Sequence, residues 1–175
     1  MKKHKILKVV IAILLIILII FHAIWFYTYS KFKPFTDAVG KDEWGRYSCL
    51  DDDKTAYAVF PPKYPLFSGN LSVSDFRSSN LKSGDVLVDM IIWPEKKSYK
   101  IGFSIQLVKD SKINGDEKNG MLELSTESVN FELDENGNFL KDYNEADINI
   151  FNENKEIIDE YYSKAYKMWG ILGNS

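Results

Sequence analysis

Histidine is almost missing from this 175-residue chain: His4 and His22 are the only two, so residues 28–175 contain none. Without an imidazole in that stretch, a Ser-His-Asp or Cys-His hydrolase has no general base. Histidine-ligated zinc, copper and haem lose their ligands for the same reason. Cysteine is as scarce. Cys49 stands alone, which rules out an internal disulfide. Its plainest reading is a small, partly buried side chain, with pairing to another chain as the alternative. No Walker loop, G-x-G-x-x-G or C-x-x-C occurs, and a net charge of −3 gives no electrostatic footprint for nucleic acid.

What is present is unevenly placed. Lys2, Lys3, Lys5 and Lys8 open the chain, and from Val9 to Tyr27 no residue is charged. Nineteen helical residues at about 1.5 Å each span about 28 Å, close to the hydrocarbon thickness of a bilayer. Trp25, Phe26 and Tyr27 suit the headgroup level at the far end, and the lysine excess before the run puts the N-terminus in the cytoplasm. Residues 9–27 therefore read as a single-pass anchor between a basic tip, 1–8, and an extracytoplasmic part. A cleaved signal peptide is the alternative, which would leave the rest secreted, but no A-x-A site follows the run. A buried core helix fits less well, because it is seldom apolar on every face. Residues 28–175 carry 18 basic and 25 acidic groups, a net of −7. Only Arg46 and Arg77 are arginine, and with abundant lysine, isoleucine and asparagine this is the composition of an AT-rich bacterial genome.

Residues 28–50 read as a juxtamembrane tether, interrupted by Pro34, Gly40 and Gly45, with room for a short helix around Thr36–Trp44. From residue 51 the period changes to two, the mark of strands. Strands are expected at Thr55–Phe60, Asn70–Phe76, Val86–Trp93, Tyr99–Val108, Met121–Thr126, Ser128–Leu133 and Phe139–Tyr143. Val86–Trp93 is apolar on both faces and should be central and covered on both sides. It should pair with Tyr99–Val108 as a hairpin. Short polar connections, including the loop 114–120, favour an antiparallel sheet over a parallel one. Ile157, Tyr161, Ala165, Met168 and Leu172 then recur at helical spacing, with Ile158, Tyr162 and Trp169 beside them. A helix over Glu153–Trp169 follows, with Asn152 as N-cap and Gly170 or Gly173 as the stop. The expected fold class is α+β: a single N-terminal transmembrane helix, an extracytoplasmic antiparallel sheet of about five to seven short strands over 51–175, and a C-terminal helix packed on it.

The remaining chemistry points to binding. Asp51–Asp53 and the loop Asp134, Asn136, Asn138 offer oxygens for a hard cation. Measured from Asp134, however, the glycine and glutamate of a calcium loop fall at the wrong positions, and Asn136-Gly137 is explained as a turn. No cofactor and no metal are expected. Carboxylate pairs for a wall-polymer hydrolase can be drawn in many ways and none stands out. The aromatics are more specific. Tyr64 and Phe67 flank the prolines of residues 61–65, and Trp93 begins a turn. These three are the candidate contacts for a partner, either an envelope protein or a cell-wall component. The expectation is a non-catalytic interaction domain. The alternatives are a scaffold subunit of a membrane assembly (secretion, transfer or cell division) or a carboxylate-based enzyme.

Overall fold

A computed structural model describes residues 2–75, 81–114 and 121–172. The apolar run forms one helix, α1, over Lys2–Ser30. It is long and apolar enough to cross a membrane, and protein covers none of its apolar window. A second helix, α2, occupies Lys33–Val39, with only Lys31 and Phe32 between the two. Six strands follow: β1 Ser48–Leu50, β2 Thr55–Phe60, β3 Asn70–Asp75, β4 Val86–Pro94, β5 Tyr99–Asn114 and β6 Met121–Leu133. They form one antiparallel sheet in sequence order, β1 to β6. Helices α3, Glu145–Glu153, and α4, Lys155–Trp169, close the chain. The molecule is an α+β fold with its C-terminal helices packed on the sheet.

The period-two pattern sets the layers. Leu71 and Val73 of β3, Met90 and Ile92 of β4, Ile101 and Phe103 of β5, and Phe131 and Leu133 of β6 are buried on one face. Against them lie Ile158, Tyr161, Tyr162 and Ala165 of α4. Phe103 meets Tyr162 at 5.6 Å and Tyr57 meets Trp169 edge-on at 5.7 Å. Gly170, at φ 67°, stops α4 in the left-handed conformation that glycine adopts freely, and its N–H donates to the Tyr166 carbonyl.

Several expectations are corrected. The segment 28–50 is folded rather than slack, since it carries α2 and β1 and buries Phe32 and Val39 in the core. Its short helix lies earlier than Thr36–Trp44, because Pro34 suits a helix's first turn and Gly40 ends it. The β4 strand is covered on one side only. Val88, Met90 and Ile92 are buried, while Leu87, Asp89, Ile91 and Trp93 are half-buried, since both C-terminal helices pack on the same face. Strand β5 runs on to Asn114, and the two strands read at 121–133 are one, with Glu127 paired to Leu107 across the expected gap. Phe76, residues 115–120 and Gly173 lie outside the described residues.

The strand expected at Phe139–Tyr143 is a single bridge, Leu133 to Phe139. Beside it the Leu140 amide still donates to the Glu132 carbonyl, but the Glu132 amide donates to Tyr143 Oη at 2.6 Å. Phe139 and Tyr143 pack instead on Phe131. The C-terminal helix is two helices. Asn144, not Asn152, is the N-cap, and its side chain accepts from the Asp147 amide. At Asn154 the helix breaks (φ −104°), with Asn154 Nδ2 donating to the Ile150 carbonyl.

Phe32 is 4% exposed and sits two residues after the last residue of α1. Phe32→Ala in the full chain should destabilise the folded part by about 3–5 kcal/mol, the range for a buried phenylalanine. Thermal unfolding in detergent, followed by near-ultraviolet circular dichroism, measures it. A loss under about 1 kcal/mol, no more than a surface substitution costs, contradicts the burial.

Candidate functional site

The sheet has one covered and one open face. Side chains directly opposite one another in a ladder share a face, so the registers Ser48 with Ala58 and Leu50 with Ala56 place these four on the open side. Small residues there leave space. With the exposed Phe60 they form the floor of a groove of about 940 Å³. Its walls are Trp25 and Tyr29 from the C-terminal end of α1, Tyr64 from the β2–β3 loop, and Trp44 and Tyr47 from the stretch before β1.

The Trp44 wall is built by one carboxylate. Asp42 Oδ1 accepts from the amides of Trp44 and Arg46, and Oδ2 accepts from Arg46 Nε at 2.7 Å and Ser48 Oγ at 3.0 Å. Gly45, at φ 75°, makes the turn between them possible. The Arg46 guanidinium lies 4.6 Å from the centroid of the Trp44 ring, and Trp44 itself is 70% exposed. Desolvation would raise the Asp42 pKa, yet the hydrogen bonds and positive charge of Arg46, with the Ser48 hydroxyl, outweigh it and hold the carboxyl at about 2.

Tyr64 and Phe67 lie together, against α1. Phe67 meets Phe21 at 5.1 Å, and Tyr64 stacks on His22 at 5.3 Å and meets Trp25 edge-on at 5.5 Å. Tyr64 Oη is 3.2 Å from His22 Nε2. Trp93 is elsewhere. It covers Gly102 on the open face, where a Cβ would stand 2.8 Å from the indole, and Lys100 Nζ lies 5.5 Å from its ring centroid. The ladder puts it two strands from Phe60, beyond the groove. Sequence reading missed Trp44, Leu50, Ala56 and Ala58. The available signal was the alternation in β1 and β2, where Leu50 and Phe60 fall on the side opposite Tyr57 and Val59.

The acidic candidates have local work. Asp51 accepts from the Thr55 amide and the Tyr57 hydroxyl, and Asp134 from the amides of Asn136 and Asn138 and from Asn138 Nδ2. Burial, then the charge of Asp75, raises the Asp89 pKa, but alternation along β3 and β4 puts Asp75 and Asp89 on opposite faces of the sheet. They do not confront each other across a cleft as a hydrolytic pair must. The Cys49 thiol is half-buried and its pKa is pushed up by burial and by Asp51, away from a reactive thiolate.

No protein-family model, no curated protein and no solved structure matches this chain.

The Asp42 turn yields a signed pH dependence. Its folded-state pKa of about 2 lies below the ordinary 3.8. The stability it contributes is therefore full above pH about 4 and is lost as the pH falls through about 2. Carboxyl NMR titration of the full chain in micelles should place the Asp42 midpoint at about 2, below the ordinary 3.8, and Arg46→Ala should move it upward. An unchanged midpoint in the variant removes Arg46 as the cause.

Proposed function

We propose that this protein is a single-pass, membrane-anchored binding protein. Its extracytoplasmic domain uses the groove on the open sheet face to hold an extended, apolar-bearing segment of another envelope component. The observation that carries the reading is the convergence of Trp44 and Tyr64 as walls with Leu50 and Phe60 in a floor otherwise of alanine and serine. Exposed aromatic and aliphatic side chains around a concavity are the chemistry of partner recognition. The free edge of β1 offers backbone groups for a fourth wall of contact, as in strand addition. No catalytic role is assigned: Asp51 and Asp134 serve turns, Asp89 accepts from Gln106 Nε2 on the sheet, and the open face carries no histidine.

Retention of the anchor is supported by what α1 touches. Phe21, His22 and Trp25 pack on Tyr64 and Phe67, and Trp25 and Tyr29 are walls of the groove. Cleavage within or after the apolar run would remove them. The four lysines before the run support a cytoplasmic N-terminus.

A second reading, a scaffold subunit of a membrane assembly, has its own observation. Val108 and Lys109 of β5 still bond to Ser83, Gly84 and Asp85 before β4, and beyond them β5 and β6 pair with each other. Five residues, Asp110–Asn114, carry this two-stranded arm about 17 Å further. Such an arm suits contact with a neighbouring subunit.

A photo-crosslinking residue in place of Trp44, activated in intact membranes, should give a discrete adduct. Adding Ala58→Glu, which puts a charge on the groove floor, should abolish it, while Glu156→Gln on α4 should not. An adduct indifferent to Ala58→Glu, or no adduct, counts against the groove as the binding site.

A further inference from the structure

The β2–β3 loop has a composition that aqueous loops avoid. Residues 61–67 read Pro-Pro-Lys-Tyr-Pro-Leu-Phe, and they present Tyr64, Leu66 and Phe67 to the outside, with Leu66 59% exposed and Phe67 42%. Phe60, just before the loop, is exposed as well. The place where this loop rests is fixed by its contacts with Phe21, His22 and Trp25 of α1. A helix from Val9 needs to reach about Tyr27 to cross the hydrocarbon layer. Phe21 is six residues, about 9 Å, short of that end, and Trp25 about 3 Å short. A loop packed on Phe21 and Trp25 is at the depth of the outer leaflet, not above it.

From these contacts we propose that Pro61–Phe67 is a second membrane contact, which inserts into the outer leaflet beside α1 and seats the domain on the bilayer. The proposal rests on the reading of α1 as an uncleaved anchor. The chemistry of the loop fits a lipid environment in four ways. Three prolines have no amide N–H to desolvate. The Leu66 amide is already donated to the Lys63 carbonyl. Tyr64 Oη pairs with His22 Nε2 while His22 Nδ1 lies 2.7 Å from the Leu18 carbonyl, so a neutral ring satisfies both of its nitrogens and the tyrosine hydroxyl together. Lys63 has the long stem that lets an ammonium reach the headgroups while its methylenes stay in the apolar layer. The β4–β5 turn, with exposed Lys96 and Lys97, is at the same end of the sheet as the loop. It places two further cations where anionic headgroups would meet them.

The experiment uses the full chain in a Cys49→Ser background, with single cysteines introduced at Leu66, Leu14 or Asp53. Each is labelled with a polarity-sensitive fluorophore and reconstituted into phosphatidylcholine–phosphatidylglycerol vesicles. Leu66 and Asp53 are exposed, so the label displaces no packing. The Leu66→Cys label should emit at shorter wavelength than the Asp53→Cys label. Aqueous iodide should quench it several-fold less, and a lipid nitroxide placed high on the acyl chain should quench it more. Equal iodide quenching at the two sites overturns the proposal. So does a blue shift at Leu66 with no lipid quenching, which would mean that protein, a second copy or a partner, covers the loop. The Leu14→Cys label separates the two premises. Quenching of Leu14 by a deep nitroxide with none at Leu66 rejects the loop alone, and no quenching at Leu14 rejects the anchor and the loop together.

Discussion

Everything about the placement of this domain depends on the burial of one phenylalanine. Phe32 follows α1 by two residues and is in the core. Its ring lies against Gly69, where a Cβ would come within 2.7 Å of the ring tip and 2.5 Å of the Phe60 carbonyl. A chain that buries so large a side chain directly after α1 has no slack with which to lift the folded part away. Phe32 in the core and the contacts of Tyr64 and Phe67 with Phe21 and Trp25 set the β2–β3 loop and the Trp44 wall beside the end of α1.

That junction also decides which sheet face is available. Helices α2, α3 and α4 come before β1 or after β6, and α2 and α4 contact each other. They collect on the face bearing Leu71, Met90 and Phe103. Hydrophobic burial is satisfied there, and the other face keeps small and polar residues such as Ala56, Ala58, Ser72 and Ser104. An open face of small residues becomes a groove only where something walls it. Here the walls are the helix end on one side and the Asp42-built turn on the other. The site is thus a product of the junction and not of any local motif.

Much of the fold was legible in the sequence. The apolar run, β2, the β4–β5 hairpin and the apolar face of α4 follow from periods of 3.6 and 2 that burial enforces. What escaped was governed by tertiary contacts. The segment around Phe32 looked like a tether because a seven-residue helix has too few turns to show a period. The β6 strand looked like two because Glu127 sits at a position that an ion pair with Lys109 makes favourable. The strand at 139–143 stops after one bridge: the Leu140 amide donates to the Glu132 carbonyl, but the Glu132 amide goes to the Tyr143 hydroxyl where a backbone carbonyl would have gone. Of the candidate contacts, Tyr64 and Phe67 were found from composition, and the structure brings both to α1. Trp93 was chosen by the same reasoning and lies over Gly102, serving close packing on the sheet. The alternation in β1 and β2 put Leu50 and Phe60 on one face, but Ala56 and Ala58 between them acquire meaning only once their neighbours are known.

The proposed groove and membrane seating both require α1 and the domain to hold one fixed arrangement at the membrane surface. Its most direct test is a spin-label distance measurement between Leu18 on α1 and Ser104 on the open sheet face, in the full chain reconstituted into bilayers. A single narrow distance distribution is predicted, unchanged between micelle and bilayer. A broad distribution, the signature of a domain swinging on a flexible tether, would contradict it.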